Sequence, residues 1–166
     1  MNVESKIKVF VSHKKEDKAV ALHVVDYLKR NGLDAYIDAL DREINPKNVT
    51  ERIVANLRDS THLIVIYSDY TRYSEWVPFE LGVGYERDEG IGVLKHNLTG
   101  WLPSYLNEFP VMNDIRELDK FIALCKKDRT SCFCESFDDI SRRECGYARH
   151  FITDLKTDII RGRYAY

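Results

Sequence analysis

The chain has 166 residues, enough for one domain of the usual ~100 to 200 residues and too few for a multidomain machine. Its composition, 44% hydrophobic with 11% aromatic and 31% charged, is that of a chain that buries a core, which excludes wholesale disorder. Twenty-five Lys and Arg against 27 Asp and Glu leave a net charge of −2, without the basic excess that neutralises a run of phosphates, so no nucleic-acid partner is expected.

Met1 to Lys8 contain no apolar stretch of signal-peptide length, and no window reaches the ~18 apolar residues that span a bilayer. A cytoplasmic protein with no membrane partner is therefore expected. The triplets Asn48-Val49-Thr50 and Asn97-Leu98-Thr99 would matter only in an exported chain and read as chance. Cys125, Cys132, Cys134 and Cys145 all fall in the last quarter, too local to staple a fold, so reduced thiols are expected. Cys132-Phe133-Cys134, Cys145 and His150 have the residue types of a zinc site but not the spacing of a paired CxxC frame, and no metal is expected.

Lys8 to Ser12 (KVFVS) is a β-branched and aromatic run that stops at the polar string His13 to Lys18, predicting a strand that ends in a loop. Ala21, Val24, Val25 and Leu28 then fall at i, i+3, i+4 and i+7, predicting a helix N-capped by Asp17 and stopped by Asn31-Gly32. Leu33 to Asp38 (LDAYID) reads as a second strand, followed by a long polar loop from Ala39 to Lys47. Val49, Ile53, Val54 and Leu57 form a second helical stripe. His62 to Tyr67 (HLIVIY), the most apolar continuous run, predicts a central strand covered on both faces.

Ser74 or Glu75 caps a third helix reaching Arg87, with Pro78 tolerated in the first turn, where amides lack internal partners. Gly90 to Leu94 is a fourth strand. Asn97 to Pro110 reads as irregular, and a helix follows in which Ile115, Leu118, Ile122 and Cys125 share one face. Finally Cys145, Ala148, Ile152, Leu155 and Ile159 repeat at spacings of three and four after a cap at Asp138 or Asp139. This predicts a last helix lying on the parent domain, with a contact between protomers as the alternative.

Strands separated by single helices pair in parallel through right-handed crossovers, so the first ~125 residues predict a doubly wound α/β sheet with helices on both faces. Ligands of such sheets bind at the carboxyl ends of the strands. The loops Ser12 to Asp17, Asp38 to Pro46 and Tyr67 to Trp76, and the loop after Leu94, are the candidate surface.

Within those loops, VFVSHKKED (Val9 to Asp17) and SEWVPFELG (Ser74 to Gly82) resemble the bacterial TIR domain, over roughly Lys6 to Lys126. The sharpest piece is Trp76-x-x-x-Glu80 after an apolar strand and a Ser-rich turn. The resemblance implies a flavodoxin-like parallel sheet and a TIR domain over residues 1–127; residues beyond about Lys127 lie outside the family core and, from the helical stripe above, are expected to form a C-terminal helical extension, residues 128–166, packed on the same domain. Pro46 is followed by Lys47, where many TIR domains carry a Pro-Gly pair.

Enzymes of that family cleave NAD⁺ between nicotinamide and ribose, and the resemblance places their essential glutamate at Glu80. The chemistry suits the residue. Departure of nicotinamide leaves positive charge over ribose C1 and the ring oxygen, which a carboxylate stabilises while accepting hydrogen bonds from ribose hydroxyls. Nicotinamide leaves as a neutral group, so no strong general acid is required. Water then gives ADP-ribose, whereas a nucleophile of the same molecule gives a cyclic isomer.

The resemblance further implies NAD⁺ as substrate with no cofactor, Phe10, Ser12 and His13 under the ligand, Asp38 at the end of the second strand as a further substrate-binding residue with the loop after it as a lid, and Trp76 beside Glu80 one helical turn away. Trp101 would stack on the nicotinamide ring. Self-association is implied as well. By analogy, a short TIR protein of this sort resembles the signal-making component of Thoeris antiphage systems, in which a separate effector protein reads the nucleotide product.

Each residue also has an ordinary reading: Glu80 as a solvated carboxylate, Trp76 and Trp101 as packing residues, His13 as a local hydrogen-bonding group. Lys14 to Lys18, with Glu16 and Asp17 among its lysines, reads as a solvated helix start before it reads as a phosphate contact. Two rival functions stand beside NAD⁺ cleavage. One is a non-catalytic TIR adaptor, and the other a nucleoside deoxyribosyltransferase-like enzyme that would turn over free nucleosides. A phosphate-accepting receiver is excluded, because Ser12-His13 and Ser68 occupy the places of its acidic residues.

Overall fold

The computed structural model describes residues 7–37, 49–131 and 146–164, without the side chains of 128–131. The strands are β1 (Lys8–Ser12), β2 (Asp34–Tyr36), β3 (His62–Tyr67), β4 (Gly90–Lys95) and β5 (Val111–Met112). The α-helices are α1 (Lys18–Arg30), α2 (Val49–Arg58), α3 (Trp76–Glu86), α4 (Leu118–Ser131) and α5 (Tyr147–Arg163). All strands pair in parallel in the order β2-β1-β3-β4-β5. This is the flavodoxin-like order, whose switch point lies between β1 and β3.

Alternation along the strands divides the core into two layers. Val9, Val11, Ile64, Ile66 and Leu94 pack with α1, α4 and α5, whereas Phe10, Leu63, Val65, Ile91 and Val93 pack with α2 and α3. Every residue of β3 is buried, as its unbroken apolar run requires of a strand with helices on both faces.

The α1 stripe Ala21, Val24, Val25 and Leu28 is buried as its spacing predicts. The helix stops in a Schellman motif: Leu33 N–H donates to Leu28 O at 3.1 Å and Gly32 N–H to Lys29 O at 3.0 Å. Gly32 takes φ 83°, a conformation in which a Cβ is strained. At the other end the expected cap fails. Asp17 makes no side-chain bond to the first turn, and a 3₁₀ turn, Lys15–Asp17, precedes α1 instead.

The stretch expected to be irregular is more ordered than its sequence suggests. It contains a 3₁₀ helix, Ser104–Glu108, and leads to β5, whose two residues pair with Val93 and Leu94. A two-residue strand is too short to show a period of two, so β5 had no sequence signal.

Helix α5 contributes Tyr147, Phe151, Leu155 and Ile159 to one layer, and Ala148 and Ile152 to the other. It packs on β4, whose residues before Val93 have no β5 partner, and so closes that edge of the sheet. Of the predicted stripe, Ala148, Ile152, Leu155 and Ile159 are thus buried within the chain, and Cys145 lies outside the described residues. The helix begins after Gly146 at φ 64°, and the expected caps Asp138 and Asp139 lie outside the described residues. Glycines in β4 admit the aromatic packing: a Cβ on Gly90 would stand 2.5 Å from His62 Cδ2 and 3.1 Å from Phe151 Cδ1. No helix among the described residues is long and apolar enough to cross a membrane.

Candidate functional site

Helix α3 buries Val77, Glu80, Leu81 and Gly84, which recur at the spacing of a core-facing stripe. A carboxylate therefore stands where the pattern calls for an apolar side chain. Glu80 is 0% exposed, so its reading as a solvated carboxylate is overturned. Its Oε2 accepts a hydrogen bond from Ser12 Oγ, and Ser12 is equally buried at the carboxyl end of β1. Burying a carboxylate costs several kcal/mol unless charge-assisted hydrogen bonds offset it, which makes such a pair unusual in a core.

A second buried glutamate provides contrast. Glu89 accepts from Ser60 Oγ at 3.3 and 3.2 Å and pairs with Arg87 Nε at 3.5 Å, beside the amino end of β4. Glu89 sits away from the loops that bind ligands in doubly wound sheets, and its charge is met by arginine. Glu80 sits under those loops.

Three further connections organise the strand ends. Ser68, which follows β3, donates from Oγ to Asp17 Oδ2 at 2.6 Å, and accepts from the Tyr70 and Thr71 amides at 3.1 and 3.3 Å. Thr71 Oγ1 lies 3.4 Å from the same Asp17 oxygen and donates to Ile66 O at 3.0 Å. Asp69 then accepts from Thr99 Oγ1 at 2.6 Å and from the Thr99 amide at 3.1 Å, which joins the loop after β3 to the loop after β4. These bonds, with the nearby Arg72 guanidinium, hold the Asp69 carboxyl below its ordinary range. Burial pushes the Tyr67 hydroxyl up, with Arg72 partly offsetting it. The expected cap of α3 is present: Ser74 Oγ accepts from Val77 N–H at 3.3 Å.

The other predicted residues are placed unequally. His13 is half-buried on the loop after Ser12, with its Nδ1 3.3 Å from Val11 O. Trp76 is half-buried against the α2/α3 layer, its ring edge-on to Phe79. Phe10 is enclosed in the core with its ring 5.3 Å from Tyr36. Trp101 is 88% exposed, on the loop held at Thr99. Asp38 and the loop Ala39 to Lys47 lie outside the described residues, as do Cys132, Cys134 and Cys145. Cys125 is buried in the core. No group of three His, Cys, Asp or Glu among the described residues is placed to hold a metal ion. Sequence reasoning missed Asp17, Ser68, Asp69 and Thr99 as organisers of the site, because short polar residues in loops look alike until the loops are folded together.

Comparison with known proteins addresses the fold and the family. The TIR domain of the Toll-related receptor TRR-2 from Hydra magnipapillata is similar at 20% identity and a TM-score of 0.56, covering 74% of this chain and 98% of that one. A metazoan TIR-STING receptor from C. gigas is similar at 20% identity and a TM-score of 0.49, covering 74% of this chain and 41% of that one. The TIR domains of the Roq1 resistosome are similar at 14% identity and a TM-score of 0.46, covering 96% of this chain and all of that one. No curated protein matches the sequence. The family model described as TIR domain matches residues 9–100, more than half of the chain. With the 2-1-3-4-5 parallel sheet, this match makes the chain a member of the TIR domain family.

Proposed function

We propose that the chain cleaves NAD⁺ between nicotinamide and ribose, with Glu80 as the carboxylate that stabilises the charge developing at ribose C1. The observation that carries this reading is the buried Ser12–Glu80 pair at the switch-point side of the sheet, on a stripe otherwise made for core packing. In the reaction the C1–N bond breaks and its electron pair stays on nicotinamide. The oxocarbenium ion is captured by water, which releases a proton to give ADP-ribose, or by a nucleophile of the same molecule to give a cyclic isomer. Ser12 holds the Glu80 carboxylate in place. Dipoles fixed before the reaction contribute most where water is excluded.

Glu80 is fully covered, so ribose reaches it only after the surrounding loops part. Self-association, which the family resemblance implies, is the proposed trigger of that opening. Specific activity should therefore rise with protein concentration. A role in antiphage defence, with a cyclic product read by a separate effector in the cytoplasm, belongs to this reading as analogy with Thoeris-type proteins.

A non-catalytic adaptor is the second reading, and the exposure of Tyr73 at 80% and Trp101 at 88% favours it, since bare aromatics on two loops suit a protein partner. An NAD⁺ time course at low and high protein concentration separates the two. Nicotinamide from the wild type, with release lowered on the order of 10²- to 10³-fold in Glu80→Gln, supports the enzyme, and the companion product distinguishes ADP-ribose from a cyclic isomer. Equal release by both proteins overturns the role of Glu80. Absence of release at every concentration moves the conclusion to the adaptor.

A further inference from the structure

We infer that Asp17 is a positioning residue of this site, locking together the two segments that carry Ser12 and Glu80. The inference rests on the proposed NAD⁺ cleavage. Asp17 is buried and lies on the loop that follows Ser12. Its Oδ2 accepts from Ser68 Oγ at 2.6 Å, a short charge-assisted bond, and has Thr71 Oγ1 at 3.4 Å. Ser68 and Thr71 lie on the segment that runs from β3 into α3, where Trp76 and Glu80 follow. Ser68 Oγ also receives the Tyr70 and Thr71 amides, so one hydroxyl relays the hold of Asp17 to the backbone of that turn.

The consequence is geometric. Ser12 and Glu80 come from segments far apart in sequence, and the Asp17–Ser68 bond is a second tie between the same two segments. A residue used only to start α1 would direct its carboxylate to the first-turn amides, yet Asp17 makes no such bond. Its side chain points instead to the loop after β3.

The test uses Asp17→Ala, Ser68→Ala, the double variant and Asp17→Asn in the full chain. Nicotinamide release is measured beside amide hydrogen exchange at Tyr70 and Thr71. Asp17→Ala and Ser68→Ala should each lower kcat roughly 10- to 100-fold, the scale of a small misplacement in a catalytic site, with KM held within about twofold. The double variant should be no worse than the more damaged single one, and Asp17→Asn, which keeps an acceptor oxygen, should recover most of the rate. Exchange at Tyr70 and Thr71 should quicken in Asp17→Ala.

Wild-type kcat in Asp17→Ala, multiplying effects in the double variant, or unchanged exchange at both amides overturns the inference. Should Asp17→Ala not fold, Ser68→Ala removes the same bond from its other side and decides the matter. If the wild type releases no nicotinamide, the proposed function fails, and the exchange measurement alone determines whether Asp17 holds the turn.

Discussion

Ser12 Oγ donates a hydrogen bond to Glu80 Oε2 across 68 residues of sequence, with both side chains buried. Strand β1 supplies the donor and the core-facing stripe of α3 supplies the acceptor. The bond is therefore both a packing element and the centre of the proposed site.

Exchanging either partner should separate those two roles. Glu80→Gln keeps an acceptor for Ser12 but loses the charge, so nicotinamide release should fall by a factor on the order of 10² to 10³ while the melting temperature changes little. Ser12→Ala leaves the carboxylate without this donor, at a cost of about 1–3 kcal/mol. Its melting temperature should fall by several degrees. Thermal unfolding followed by circular dichroism, beside the NAD⁺ assay, checks both.

Asp88 should matter to α5 although it lies in another part of the chain. Its Oδ1 accepts from the Ala148 amide at 3.1 Å, which supplies a side-chain acceptor to the first turn of the helix. Loss of such a cap costs about 1 kcal/mol, so Asp88→Ala should destabilise by that amount. Asp88 has φ 60°, which asparagine tolerates better than alanine, and Asp88→Asn should stay close to wild type. Urea denaturation midpoints measure the difference.

Gly92 is closely covered by the side chains of Met112 and Phe121. A Cβ there would stand 2.9 Å from Met112 Cε and 3.1 Å from Phe121 Cδ2, so Gly92→Ala makes the Met112 and Phe121 side chains repack. A loss of about 1–3 kcal/mol is expected from such overpacking. Gly82, with nothing within 4 Å of a built Cβ, serves as the control: Gly82→Ala in α3 should stabilise by roughly 0.5–1 kcal/mol. Equal effects at the two glycines would contradict the packing.

The end of α5 should respond to acid. Burial works to raise the Glu117 carboxyl, but hydrogen bonds from Arg163 and from the Asn113 amide outweigh it, and the group is held below its ordinary value of 4.5. A depressed folded-state value adds stability that is fully present above 4.5 and disappears as the pH falls through the folded value. Arg163→Gln removes the 2.8 Å and 2.9 Å bonds to Glu117. It should cost about 1 kcal/mol at pH 7 for this partly buried pair, and the gap from wild type should narrow below pH 4.5. Stability measured from pH 7 down to pH 3 tests it.

Most of the secondary structure was legible because it arises from local periodicity. The α1 stripe, the apolar run of β3 and the α5 stripe each announce which face they bury, and alternation of strands with helices leads to a parallel sheet. The motif around Glu80 was legible too, through Trp76-x-x-x-Glu80 and the end of β1. Sequence alone also identified the strand-end loops as the ligand surface, since a doubly wound sheet leaves few other places for one.

Only the tertiary structure decided what surrounds those residues. Glu80 could be taken for solvated until Val77, Leu81 and Gly84 were seen buried beside it. Asp17 has the composition and position of a helix cap, and only the meeting of two distant loops directs its carboxylate to Ser68. Strand β5 exists because β4 offers it an edge, and α5 closes the remainder of that edge. Periodicity reports which side of an element is apolar, whereas the partner of a single polar side chain depends on contacts between segments tens of residues apart. For the latter, neighbouring sequence carries almost no information.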